Sequence, residues 1–229
     1  MASSLHDGAV LDDAVGWDAA VQAPAGVVVD HVDFLIDGHV RWTEHEEPYQ
    51  FNEGRVFTPW PLGVGRHQLR IDVVAGTSTV ASTSATVTVK AHEQAGPPVG
   101  TYRRTVTAAD QARVQPYRDA QHGGSGDPTP TGPWSLQVRP DGVMVLDQVP
   151  HPPQYDAFFE PFTATAQQLT LYGLANWLQP HPDRPNSFCD PEASSSYRWS
   201  LSGRTLTITA VQKGCADRDI ALVGAWQRT

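Results

Sequence analysis

The sequence predicts an all-β protein, with a β-sandwich in its first half and a closed eight-stranded barrel in its second. Two observations predict this class. The 229 residues include 19 Gly and 19 Pro and only 18% charged residues, with Val, Thr and aromatic residues common, which is typical of short strands joined by turns. The second half also alternates tight turns with long connections, as expected for a meander whose alternate connections lie at opposite ends of a barrel.

A proline-rich segment predicts the boundary between the two domains. Residues 90–98 are polar and end in Gly96-Pro97-Pro98. A proline pair cannot join a sheet ladder and favours an extended spacer. We therefore expect one domain over residues 1–91, a linker over 92–99 and a second domain over 100–229.

The first domain is predicted from short alternating segments. Residues 29–36 alternate and end at Asp37-Gly38, a two-residue hairpin signal, and residues 40–44 form the return strand. Further strands are expected at residues 56–57, 65–74 and 78–89.

This first segment resembles bacterial Ig-like domains. The residues that carry the resemblance are Val32 to Gly38, Trp42, Pro48-Tyr49, and Leu62-Gly63 leading into His67-Gln68-Leu69. The resemblance implies a sandwich that spaces, docks or adheres.

The barrel is predicted from eight further strands. They are expected at residues 100–106, 134–138, 143–147, 157–163, 168–172, 197–201, 205–211 and 220–227. A helix over 107–120 follows the first strand, with Thr107 as its N-cap and Asp110 in its first turn. All the long connections then emerge at one end, the mouth, where barrels of this size hold a small ligand.

The second segment resembles the lipocalin-like (calycin) superfamily. Gly100-Thr101-Tyr102 stands where a lipocalin's Gly-x-Trp opens the barrel, and Gly224-Ala225-Trp226 with Arg228 lies on the closing strand. Residues 197–228 also look like the closing segment of lipocalin-like domains in secreted actinobacterial proteins. The resemblance implies a ligand-binding barrel, which is sometimes recruited as an enzyme.

Aromatic residues near the mouth are the candidate ligand contacts. We predict that a small apolar or aromatic ligand meets the following side chains: Trp177, Tyr155, Phe158, Tyr172 and Arg104. Trp177 is the leading candidate because it lies in a loop beside Asn176, where no strand explains it. The alternative is that these rings anchor loops or fill the core.

Glu160 is the candidate acid or base. Alternation places Phe158, Glu160 and Phe162 on one face of a strand. If that face points inward, Glu160 is a buried carboxylate of the kind that serves as an acid or base, with Arg104 as its internal partner. Pro161 favours the alternative, an edge or bulge where the carboxylate is solvated.

Three histidines lie on predicted mouth connections, namely His122, His151 and His181. With nearby carboxylates such as Asp183, they form a candidate metal site, and His151, His181 and Asp183 join Glu160 as candidate catalytic residues. Exposed histidines in proline-rich turns are the alternative, because no metal-binding spacing is present. No cofactor is predicted apart from this metal ion, and nucleophile motifs are absent.

Charge and cysteine content indicate the compartment and the partners. A net charge of −9, without a basic cluster, excludes nucleic acid and anionic membrane surfaces as partners. No segment is long enough to span a bilayer, and Met1 to Gly8 lacks the features of a signal peptide. The chain is therefore either cytosolic or a secreted mature form. Because Cys189 and Cys215 both lie on mouth connections, we expect a disulfide and the secreted form, the alternative being two unrelated thiols.

These observations lead to three functional hypotheses. The first is a secreted small-molecule-binding protein with an Ig-like domain as spacer or docking module for a protein or the cell envelope. The second is an enzyme of hydrolase, isomerase or cyclase type that uses the same barrel mouth. The third is a structural cell-envelope module with a filled barrel.

Overall fold

A computed structural model describes most of the chain. The described residues are 1–23, 25–54, 56–91, 95–122, 129–152, 157–173, 175–178, 195–211 and 215–229, without the side chains of 53, 54, 119–122 and 176. They form two compact units. Residues 1–91 with 175–178 form the first unit, and the remaining described residues form the second. The protein is all-β, as predicted, with two helices in the second unit.

The first unit is a sandwich of two sheets. Its strands are β1 (Ala2–Ser3), β2 (Val10–Leu11), β3 (Asp18–Ala20), β4 (His31–Ile36), β5 (His39–Glu44), β6 (Tyr49–Gln50), β7 (Gly65–Ala75) and β8 (Ser78–Val89). Short 3₁₀ turns lie at Phe51–Gly54 and Trp60–Leu62. The strand orders are β1-β3-β6 and β2-β8-β7-β4-β5. β2 and β8 pair in parallel, and the other strand pairs described in this unit are antiparallel.

The predicted hairpin is present in this unit. Asp37 and Gly38 both have positive φ, 50° and 81°, as a type I′ turn requires, which explains why Asp-Gly stands between β4 and β5. The strand predicted at residues 56–57 is reduced to one bridge between Val15 and Phe57.

The second unit is a closed barrel of eight strands. These are β9 (Gly100–Val106), β10 (Gly132–Val138), β11 (Val143–Gln148), β12 (Phe158–Ala164), β13 (Gln168–Leu171), β14 (Ser195–Ser202), β15 (Thr205–Ala210) and β16 (Gly224–Arg228). They lie in chain order, and β16 closes onto β9. Every pair is antiparallel, so the predicted meander is confirmed.

Two helices lie at the same end of this barrel. Helix α1 (Ala108–His122) connects β9 to β10, and α2 (Ala216–Leu222) connects β15 to β16. The two helices contact each other. We call this the mouth end, since β9, β11, β13 and β15 all end there; the tight turns lie at the opposite end, the floor.

Helix α1 begins as predicted. The Thr107 N–H donates to Asp110 Oδ2 at 2.8 Å, and the Asp110 N–H donates to Thr107 Oγ1 at 3.3 Å. This reciprocal pair satisfies N–H groups that the first turn of a helix leaves unpaired.

Helix α2 corrects the sequence analysis, which predicted a strand from residue 220. Cys215 is its N-cap, with Sγ accepting a hydrogen bond from the Arg218 N–H at 3.3 Å. Asp217 and Asp219 lie in its first turn, where the helix dipole favours negative charge. The last strand therefore begins only at Gly224.

None of the helices formed by the described residues is long and apolar enough to cross a membrane.

Candidate functional site at the mouth end of the barrel

The described interior of the barrel is filled with side chains. The large inward residues have at most 2% of their surface exposed; they include Tyr102, Trp134, Leu136, Phe162, Tyr197 and Trp226. Val114 of α1 and Ile220 and Leu222 of α2 join the same core. A cavity that admits water would give its lining side chains accessible surface. The described interior residues therefore leave no room for a ligand between them.

Glu160 lies inside the barrel, as alternation predicted, and is fully buried. Its partner is not Arg104, as the sequence suggested, but Arg218 of α2. The Arg218 Nε donates to Glu160 Oε1 at 2.9 Å, and Nη1 donates to Ser195 Oγ at 3.2 Å. Removing either member of such a buried pair leaves the other charge uncompensated. Pairing with arginine is enough to explain why this carboxylate is buried. The catalytic role of Glu160 stays a prediction.

Asp219 is the second buried carboxylate of this end. Tyr197 and Tyr117 donate their hydroxyls to its two oxygens, at 2.8 and 2.6 Å. Burial raises the pKa of Asp219 despite these hydrogen bonds and the nearby Arg218. Burial, and then hydrogen bonding to Asp219, raises the pKa of Tyr117, and burial raises that of Tyr197. Both tyrosines are therefore hydrogen-bond donors at neutral pH.

A further ion pair joins the two helices. The Arg118 Nε of α1 donates to Asp217 Oδ1 of α2 at 3.0 Å, and the arginine side chain is 4% exposed. The Thr129 hydroxyl donates to the Asp217 carbonyl at 2.8 Å. Polar contacts thus hold α2 in the barrel end on two sides.

Arg104 contacts both helices at the seam between the first and last strands. Its Nη2 lies 2.8 Å from Asp110 Oδ2 of α1, and Nη1 donates to the Val223 carbonyl after α2. The guanidinium lies 5.7 Å from the ring centre of Trp226. A Cβ at Gly224 would lie 2.5 Å from this group, so glycine allows the close approach. These groups hold Arg104 in place, and Arg104 also lines a solvent-open groove at this seam. Its contact with a ligand stays a prediction.

The histidine predictions are only partly within the described residues. His151 is exposed and its Nδ1 lies 2.8 Å from Asp147 Oδ1. The side chain of His122, at the end of α1, is not described, and His181 and Asp183 lie outside the described residues. No group of three metal-binding side chains occurs within the described ranges. The metal site stays a prediction.

Trp177 corrects the sequence analysis most clearly. It lies on a 3₁₀ turn, Asn176–Leu178, that packs as part of the first unit and not into the barrel core. Its ring is 1% exposed and lies 5.8 Å from the ring of Phe51 and 5.5 Å from that of Phe57. A large ring removed from water between two others is sandwich core.

The structure does not bring the remaining predicted ligand contacts together in one described site. Phe158 packs against the barrel core and stacks on Trp134, with 6.2 Å between the ring centres. The Tyr172 hydroxyl lies 3.3 Å from Thr163 Oγ1, on the strand face opposite Phe162. Tyr155 lies outside the described residues, as does Cys189, so the disulfide with the buried Cys215 stays a prediction.

The residues that sequence reasoning missed are those of α2 and their partners. Arg218, Asp219, Tyr117 and Tyr197 form most of the polar cluster, and none was singled out for this role. A signal was present in Asp217 and Asp219, since acidic residues after a polar cap mark the first turn of a helix.

Comparison with known proteins gives little further information. No protein-family model matches the chain, and no curated protein matches it. Among solved structures, the fibronectin(III)-like modules of Clostridium thermocellum CbhA are similar, with 18% sequence identity and a TM-score of 0.33. The match covers 40% of this chain and 98% of that chain. A TM-score of this size carries no argument about function.

Proposed function

We propose that this protein is a secreted binding protein whose ligand site lies at the mouth end of the barrel. In this proposal the filled barrel is a rigid scaffold, and the Ig-like first unit is a spacer or docking module. A barrel and a sandwich of this kind fit a binding or docking protein in general.

One observation carries the proposal. The buried polar and charged side chains that the structure describes in the second unit all lie at the mouth end; they are Arg118, Thr129, Glu160, Ser195, Arg218 and Asp219. Towards the floor, no charged side chain is buried among the described residues of this unit, and the buried Tyr102 hydroxyl donates to the Pro98 carbonyl. Burying charge costs free energy, and stability alone does not require such groups at one end. Perturbed ionisable groups of this kind cluster at functional sites.

The charge of this end favours a polar ligand. The sequence analysis predicted an apolar or aromatic one, on the strength of loop aromatics. Tyr117 and Asp217 are partly exposed at this end, and the buried Asp219 and Arg118 hold them in place. Their hydroxyl and carboxylate match a ligand with hydrogen-bonding groups better. We infer that the ligand meets the mouth end around Tyr117 and Asp217.

Secretion and the disulfide belong to the same proposal. Cys215 is buried at the N-cap of α2, and no free cysteine occurs among the described residues. A bond to Cys189 would fasten the connection between β13 and β14 to this helix.

The structural-module hypothesis is the second candidate, and the filled interior favours it. The proposed test separates the two. The ¹⁵N-labelled full chain is titrated with small carboxylates, amines and neutral polyols, and with indole as an aromatic probe, while amide shifts are followed by NMR.

We expect at least one polar compound to shift the amides of Tyr117, Ser195 and Arg218 saturably. Tyr117→Phe should weaken that binding. The matched control is Tyr102→Phe, whose hydroxyl donates to the Pro98 carbonyl at the floor; it should leave the affinity unchanged. If indole binds and none of the polar compounds does, the proposal that the ligand is polar is wrong. Absence of any shift at these amides would overturn the binding function and leave the structural module.

A further inference from the structure

A second candidate site lies at the floor of the barrel, where β14 extends beyond β13. Gln168, the first residue of β13, pairs with Arg198 of β14. Beyond this point β14 pairs with β15 as far as Ser202. The overhang and the turn at residues 165–167 border a solvent-open groove of about 590 Å³. We call it the floor groove.

Trp199 gives the floor groove an aromatic wall. Its ring packs against the barrel core on one side and is half-buried. The indole Nε1 donates to the Thr165 carbonyl at 2.9 Å, which fixes the orientation of the ring. Leu201, 41% exposed, extends the apolar part of the groove.

Apart from Pro98 and Ala166, the other described lining residues of the floor groove are polar, and none of them is acidic. On the outer face of the barrel, Arg198 lies opposite Thr209 and Ser200 lies opposite Thr207. Gln167 adds an exposed amide. Among the described residues no carboxylate lines the groove, although the chain has 25 acidic and 16 basic residues.

Arg198 is the charged residue that lines this groove in the part of the chain that the structure describes. It is exposed, and within the described part of the chain its guanidinium makes no hydrogen bond or ion pair. Arginine binds carboxylates through two parallel hydrogen bonds. The groove is therefore lined by a free carboxylate-binding group and several hydroxyls from the outer face of β14 and by a fixed aromatic ring from its inner face.

We propose that the floor groove binds a saccharide that carries a carboxylate, such as a uronic acid unit. The C–H face of a sugar ring packs on an indole, and sugar hydroxyls exchange hydrogen bonds with Ser, Thr and Gln side chains. Arg198 binds the carboxylate. This site shares no residue with the mouth-end site, so each of the two proposals can be tested independently of the other.

The test is a titration of the ¹⁵N-labelled full chain with trigalacturonic acid and, separately, with the neutral sugar maltotriose. We expect saturable shifts at the amides of Trp199, Ser200 and Thr207 with the acidic sugar. Arg198→Gln should weaken that binding about tenfold, as loss of a charge-assisted hydrogen bond implies. Trp199→Phe, which keeps a ring, should weaken it less than Trp199→Ala.

The control variant is Arg139→Gln, since Arg139 lies at another floor turn and is paired with Asp141. It should leave the affinity for the acidic sugar unchanged. Equal binding of both sugars, insensitive to Arg198→Gln, would overturn the recognition of a carboxylate. Absence of shifts at the groove amides, or shifts only at the mouth end, would overturn the site itself.

Discussion

At the residue scale, the burial of Glu160 was predictable and its partner was not. Alternation along β12 places Glu160 between Phe158 and Phe162, and this face does point inward. Arg218 lies on a helix that the sequence did not reveal. Periodicity therefore gives the face of a strand but not the group that another element brings to it.

The Glu160–Arg218 pair should contribute strongly to stability. Glu160→Gln leaves the arginine charge buried without its carboxylate, and we expect a loss of about 3–5 kcal/mol in the free energy of unfolding. Urea denaturation measures it. The double variant Glu160→Leu with Arg218→Met should recover part of the loss, because no isolated charge then remains. A loss below about 1 kcal/mol in the single variant would contradict the pairing.

Asp110 should give the protein an acid-dependent component of stability. Burial alone would raise its pKa, but the Thr107 N–H and hydroxyl and the Arg104 guanidinium lower it overall. The stabilisation is thus fully present above the unfolded-state pKa of about 3.9 and is lost as the pH falls through the lower folded-state value.

Asp110→Asn tests this dependence. We expect a loss of about 1.5–3 kcal/mol near pH 7, which shrinks as the pH falls below about 4. Urea titrations between pH 3 and 7 measure it. Asp12→Asn is the control, since the Asp12 side chain is 65% exposed. A deficit that stays constant with pH would contradict the contribution of charge.

At the element scale, the strands were predictable, but helix α2 and the short turn in the connections between them were not. All eight barrel strands were expected in the observed order, because each pairs with its neighbour in sequence. The sequence predicts a strand from residue 220 and so assigns the last three residues of α2, Ile220 to Leu222, to the closing strand. A seven-residue helix has too few turns to show its own period.

The segment at residues 175–178 is an element of the first unit that sequence cannot assign. A single Trp in a connection carries no periodic signal. Its position predicts that Trp177→Ala removes a ring from the sandwich core, at a cost of about 3–5 kcal/mol.

Hydrogen exchange of the full chain measures which amides lose protection when Trp177→Ala lowers the stability. Amides of β4 and β7, whose residues share the core with Trp177, should lose protection. The barrel strands should keep theirs. Leu178→Ala, at a half-buried neighbour, is the control and should have a smaller effect. Unchanged protection in β4 and β7 would contradict the core position.

A disulfide at Cys215 would stabilise the mouth end. We expect the oxidised chain to have a mass two hydrogens below that of the reduced chain. Reduction should lower stability by roughly 3 kcal/mol for a loop of this length, with the earliest exchange in α2. Cys189→Ser should reproduce the effect. Equal masses before and after reduction would show that the bond is absent.

At the scale of the whole molecule, the sequence predicted two all-β units but not how the barrel is filled. The long connections suggested an open mouth. Instead Val114 of α1 and the apolar residues of α2 complete the core. Whether a barrel interior holds a ligand depends on the volumes of all inward side chains together, which alternation does not determine.

A filled barrel is the central claim of this account, and xenon binding tests it most directly. Xenon enters dry apolar cavities of about 150 Å³. Methyl-labelled full-length protein is placed under xenon pressure and followed by NMR. We predict no saturable shift at the methyls of Leu136, Leu146 and Ile208, all fully buried in the barrel core. Saturable shifts at these methyls would reveal an interior cavity and contradict the filled scaffold.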